Sequence, residues 1–185
     1  MNGFFYWTYD NTADCLMLCS ETTNRKIRTA LQGSMLNPSA YAATECEADE
    51  FIFYTQIEEL IEHCDLIMPQ QRELLAYTAV AARTFLLPTQ PKSWFFETTE
   101  SDGPHAAQPY PYLVQTRLKQ TQQVISLLSF AGDDTVADCL LLEEELNLPG
   151  LQLKFGQPLR IFVNRLQYLA AADYASEPYW QQQSA

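Results

Sequence analysis

The side chains able to do chemistry are few and far apart. Two histidines stand at positions 63 and 105, and five cysteines at 15, 19, 46, 64 and 139. A zinc site draws its ligands from close Cys or His pairs; the two histidines are far apart, and the cysteines form no CxxC pair. Cys15 and Cys19 are four apart, which on a helix would bring two thiolates together. The segment CLMLCS reads as a strand instead, where that separation leaves them on one face about 13 Å apart, too far for one ion. Glu143, Glu144 and Glu145, and the pair Asp133 and Asp134, could serve acid–base catalysis. Each sits at a strand end or turn, where solvated charge is the ordinary state. The chain has no GxxxxGK[ST] loop, no GxSxG elbow and no GxGxxG after a strand, and its six glycines leave little material for a phosphate cradle. The residues therefore argue against an enzyme and against a bound metal or cofactor.

What remains is a sparse set of cations on an acidic chain, with 11 basic against 23 acidic residues and a formal net charge of -12. Arg83 stands late in a helical pattern, Arg160 and Arg165 in the last strand region, and Lys92 inside PTQPKSWFF. Pro88 and Pro91 fix φ and push their predecessors toward extended geometry, so this stretch is expected to leave a helix and enter a strand with Lys92 at its mouth. In that strand Trp94 would share a face with Lys92, an arrangement suited to gripping a short peptide with one acidic and several apolar residues. The averaged negative field disfavours nucleic acid and anionic lipid as partners. No apolar run reaches the roughly 18 to 20 residues of a membrane span. MNGFFYWTYDNTAD has neither a basic n-region nor a cleavage site, so no secretory signal is read, and odd, scattered cysteines suit reduced thiols in a cytoplasm.

The elements that must position these residues divide the chain in two. FFYWTYD, CLMLCS and KIRTAL are candidate strands, with DNTAD as a hairpin loop. Asn37 before Pro38 predicts a capped short helix in SMLNPSAYA. FIFY is read as a buried strand, and Thr55 with Glu58 as a capping box opening a helix that runs to about Cys64. Pro69 opens a second helix, apolar on most faces, that ends at Pro88. From Trp94 on, WFFET, YLVQTRL, QQVISLLSFA, VADCLLLE, LQLKF and PLRIFV all have strand length, and GDD at 132–134 is the clearest turn. The expected fold is α+β: an N-terminal α/β domain over 1–91, a small β-barrel-like domain over 92–172, and a disordered tail over 173–185.

Several segments, in order, resemble the ZapC family of cell-division proteins: WTYD followed by LML, then SMLNPSAY, AVAARTFL, PTQPKSWFF and LKFGQPLRIFVNRL. The resemblance implies a non-enzymatic partner of the tubulin-like GTPase FtsZ that favours lateral association of its protofilaments, stabilises the Z-ring and damps GTP turnover. It implies a cytoplasmic protein at mid-cell, a monomer or weak self-associate, built from an α/β domain joined to a barrel-like one. It also implies a partner site made of an apolar N-terminal region and a neighbouring basic pocket, which points to Leu18, Arg83, Lys92, Arg160 and Arg165, with Trp94 added from its place beside Lys92. Leu87 departs from relatives that carry lysine there, which makes the pocket less positive. The competing expectation is a small-molecule or nucleic-acid binding module using the mouth of the barrel.

Overall fold

The aromatic opening forms the antiparallel meander that its pattern predicts. In the computed structural model, which describes residues 4–100 and 109–169, strand β1 (Phe5–Asp10) pairs with β2 (Cys15–Ser20), and β2 with β3 (Lys26–Arg28). The Asp10 carboxylate accepts from the backbone N–H groups of Thr12 and Ala13 at 2.8 and 3.0 Å, which closes the DNTAD turn. Strand β4 (Thr44–Glu45) adds to the other side of β1, giving the order β3-β2-β1-β4. Trp7, Leu18 and Ile27 lie in one cross-strand row and all three are buried. Asn37 caps as expected, its side chain accepting from the Ser39 N–H at 3.0 Å, but the turn it opens, Pro38–Tyr41, is 3-10 rather than α.

FIFY is not a strand. It lies inside helix α1 (Ala48–Ile61). The capping box sits eight residues earlier than the one expected from Thr55 and Glu58: Glu47 donates its backbone N–H to the Glu50 carboxylate at 2.8 Å, and Asp49 and Glu50 place negative charge in the first turn. Thr55 instead donates its hydroxyl to the Phe51 carbonyl, one turn back. Phe53, Ile57 and Ile61 recur every four residues and form the buried face. Helix α2 (Pro69–Phe85) starts at the expected proline and is buried on much of its surface by Leu75, Ala76, Ala79 and Val80.

The second half is strand-rich, as the pattern predicts, but no closed barrel forms among the described residues. Strands β5 (Tyr112–Arg117), β6 (Val124–Gly132), β7 (Val136–Leu141), β10 (Pro158–Phe162) and β11 (Gln167–Tyr168) make an open sheet of order β10-β7-β6-β5-β11. Strands β8 (Glu145–Leu148) and β9 (Leu151–Lys154) form a separate hairpin. WFFET is a 3-10 turn, Ser93–Phe95, followed by a single bridge from Phe96 to Leu118. The GDD turn is present: the Asp133 carboxylate accepts from the N–H groups of Thr135 and Val136 at 2.7 and 2.9 Å. Gly132 belongs there for a steric reason, since a Cβ at that position would stand 2.4 Å from the Val136 carbonyl oxygen.

The open sheet avoids the need for closure because both of its faces are covered. Leu113, Leu128, Phe130 and Leu140 point into the cluster that also holds Trp7, Leu18 and the buried faces of the two helices. Val114, Ile125, Leu127, Cys139 and Leu141 point the other way, where the β8–β9 hairpin supplies Leu146 and Leu153 and the neighbouring segments supply Phe96 and Leu166. Both stretches of chain, before and after residue 91, thus contribute to the larger cluster.

Two outcomes follow from this packing. Leu18→Ala is expected to cost about 3 kcal/mol, read as a lower urea midpoint at unchanged slope, because Leu18 is 0% exposed and its loss leaves a cavity. The full chain is expected to unfold with coincident far-UV circular dichroism and tryptophan fluorescence transitions, since one apolar cluster spans both halves.

Candidate partner-binding site

The site is built where the chain crosses from the helices to the second sheet. Phe85 ends α2, and its carbonyl accepts from the Asn37 N–H at 2.8 Å; two residues on, the Leu87 N–H reaches the Met35 carbonyl at 2.8 Å. The two prolines then carry the chain across without regular structure, and the far end is tied to β10: the Lys92 N–H donates to the Arg160 carbonyl at 2.9 Å, and the Phe162 N–H to the Ser93 hydroxyl at 2.7 Å. Between these anchor points lies a cavity of about 210 Å³ whose apolar wall includes Met35, Leu86, Leu153 and Leu159 and whose polar side carries Lys92, Arg160 and Asp138.

Lys92 and Trp94 do not share a strand face, because the 3-10 turn replaces the strand. They meet nonetheless: the Lys92 Nζ stands 5.2 Å from the centroid of the Trp94 ring, within cation–π range. Trp94 is 56% exposed and, with Phe95, Leu118 and Leu148, lines a shallow apolar cleft of about 190 Å³. An aromatic of that size left open to solvent beside a cation has the composition of an interface anchor.

Arg160 is more constrained than the sequence indicates. It lies directly across the β10–β7 ladder from Asp138 and is held by two parallel bonds, Nε to Oδ1 and Nη2 to Oδ2, each 2.7 Å. This charge-assisted fork raises the arginine's pKa further, so Arg160 stays charged while most of its charge is answered internally. Lys92 makes no salt bridge among the described residues, which leaves it the more available cation at the cavity.

The remaining sequence candidates are placed elsewhere. Leu18 is wholly within the core and offers no surface. Arg83 stacks over the Phe53 ring at 4.1 Å and lines a separate pocket of about 450 Å³ with Ile52, Tyr110 and Phe130. Arg165 donates to the Thr98 hydroxyl and lines a third, polar pocket. The structure therefore gathers Lys92, Trp94 and Arg160, and separates Leu18, Arg83 and Arg165 from them. Asp138 and the apolar wall of Met35, Leu86, Leu153 and Leu159 are residues of the site that sequence reasoning did not name. Only Asp138 left a signal, as a lone carboxylate inside the apolar run VADCLL.

The reactive side chains are quiet. All five cysteines are free, and burial pushes their thiols up, Cys139 to about 12, so they stay protonated near neutral pH. His63 is exposed beside Glu62, and the loop around His105 lies outside the described residues, as does the tail 173–185. Among the described residues no group of three or more His, Cys, Asp or Glu is placed to hold a metal, and no helix is long and apolar enough to cross a membrane.

Comparison with known proteins gives the same identification as the motifs. The family described as "Cell-division protein ZapC, C-terminal" matches residues 88–172. The cell division protein ZapC of Proteus mirabilis is 32% identical over 162 residues, which cover 86% of this chain and 85% of that protein. ZapC of Vibrio vulnificus is 27% identical over 166 residues, covering 89% and 88%, and ZapC of Musicola paradisiaca 29% over 161 residues, covering 86% and 84%. With that identity spread over most of both chains, this protein belongs to the ZapC family of cell-division proteins.

Proposed function

We propose that this protein is a non-enzymatic division factor that binds FtsZ in the cytoplasm at mid-cell, promotes lateral association and bundling of its protofilaments, and thereby stabilises the Z-ring and lowers GTP turnover. Membership of the family supports the division role, and the observation that carries the contact site is the pairing of Lys92 with an exposed Trp94 at the rim of an apolar cavity. An extended segment that is acidic and apolar by turns fits such a place: its carboxylate answers Lys92, its apolar side chains fill the clefts beside Met35 and Leu118, and Trp94 closes over them.

The effect on filaments is mechanical. FtsZ-type filaments are acidic and repel one another laterally, and this chain is acidic as well, so bulk electrostatics oppose bundling. Bridging therefore needs either two contact surfaces on one copy or two associated copies, with multivalency along the polymer strengthening a modest single contact. The Arg83 pocket is the second surface in this scheme. A subunit held in a bundle exchanges more slowly, and turnover falls without any group of this chain acting on the nucleotide.

Lys92→Glu is expected to reduce co-sedimentation with FtsZ polymer at least several-fold and to restore GTP hydrolysis in the same tubes, while the melting temperature moves by no more than roughly 4 °C, since the lost cation–π contact is worth only about 0.5–1 kcal/mol. Unchanged pelleting by the folded variant removes Lys92 from the contact.

A further inference from the structure

The Arg83 pocket lies at the end of the second sheet toward which the chain is heading when it leaves β11. That strand runs antiparallel to β5, with Gln167 opposite Gln115 and Tyr168 opposite Val114, and the Leu169 N–H donates to the Leu113 carbonyl at 3.0 Å. An extended path from there passes Tyr112 and comes level with Tyr110 and Pro109 near Ala172 and Asp173, one strand spacing of about 4.8 Å away. Tyr110 and Pro109 line the pocket, and Phe53 of α1 and Phe130 of β6 form its floor. The faces agree as well as the direction. Leu169 is 8% exposed and belongs to the same apolar cluster as Phe53 and Phe130, and on an extended path Ala171 and Asp173 follow it onto the helix side of the sheet, where Arg83 stands.

The chemistry of the pocket calls for an occupant that is aromatic and acidic. Its apolar wall includes Ile52, which is 62% exposed, and its cation, Arg83, makes no salt bridge among the described residues. Stacked over the Phe53 ring, Arg83 keeps the edge of its guanidinium free for a carboxylate. The one carboxylate in the lining, Asp49, is in the first turn of α1, where the helix dipole favours it. Two stretches adjoin the pocket in sequence. Residues 101–108, SDGPHAAQ, which precede Pro109, carry no aromatic ring and no aliphatic side chain larger than alanine. The stretch after Leu169, AAADYASEPYW, brings carboxylates at Asp173 and Glu177 and aromatic rings at Tyr174, Tyr179 and Trp180.

We propose that residues 173–180 occupy the Arg83 pocket of their own molecule, with Asp173 paired to the Arg83 guanidinium and Tyr174 laid against the apolar wall. Being tethered at Leu169, the segment is present at the pocket at a millimolar effective concentration and holds it without needing tight contacts. A filament segment that uses this pocket as the second surface of a bridge has to displace the tail, which makes the tail a brake on bundling. That consequence rests on the FtsZ reading, whereas the docking itself does not.

The test is disulfide trapping in the full chain, alone and dilute, so that its outcome is independent of FtsZ. Gln56→Cys puts a thiol on the exposed rim of the pocket, Val124→Cys puts one at the far end of β6, and each is combined with Ala175→Cys. Gly132 at the pocket and Val124 lie equally far along β6 from Leu128, the partner of Leu113, so an undocked tail reaches both ends alike. Under a mild oxidant, peptide mapping is expected to find the 56–175 bond within one molecule at a yield at least roughly five-fold above the 124–175 bond. Asp173→Asn, which alters nothing in the packed body, and Arg83→Gln are each expected to bring that yield down to the level of the control pair. Equal yields at the two positions, a 56–175 bond formed only between two molecules, or a yield unchanged by Asp173→Asn overturns the proposal.

Discussion

Strand β6 carries apolar side chains in both directions, and a strand without a polar face has to be covered twice. Leu128 and Phe130 face the helices and the first sheet, while Ile125 and Leu127 face the hairpin, so the middle of the second sheet is dry on either side. A barrel would cover one face by curling the sheet on itself. Here the first face is covered by what the chain has already built before residue 91, and the second by the β8–β9 hairpin. The open sheet, the position of the hairpin and the path of the proline-rich crossing all follow from that requirement.

The crossing segment becomes a surface feature for the same reason. With the sheet buried on both faces, the chain between Phe85 and Phe96 has to travel around the outside, anchored to Met35 at one end and to Arg160 at the other. Its prolines deprive it of two backbone donors that a regular element would have needed, so it runs over a cavity rather than filling it. Lys92 and Trp94 are exposed by this geometry. Arg160, one strand inward, is drawn into the Asp138 fork.

Much of the local structure was legible in the residues, and what was missed has physical causes. The Asn37 cap, the Pro69 start, the Asp133 turn and the meander of β1 to β3 all depend on interactions within a few positions, which sequence carries directly. The run FIFY was misread because four apolar residues fit a buried strand as well as a buried helix turn, and the deciding signal, Glu47 paired with Glu50, uses a residue seldom found as a cap. The cations Lys92 and Arg160 could be picked out on an acidic background, but the register that sets Arg160 against Asp138, 22 positions away, is fixed by pairing across the sheet. Leu18 shows the opposite limit. The resemblance pointed to it as a contact, and its environment is the core.

The β8–β9 hairpin has a different standing from the other strands. It belongs to no larger sheet, and a lone pair of strands is marginal unless something packs against it. Leu146 and Leu153 moor it to the core, while Leu151 and Leu153 on the same strand form part of the cavity beside Lys92. Backbone bonds at Leu141, to Gly156 and Gln157, join the hairpin to the end of the β7–β10 ladder. The cavity is thus bounded on one side by the body of the sheet and on the other by a pair of strands hung from its end, so whatever repacks the hairpin's leucines also resets the width offered to a visitor.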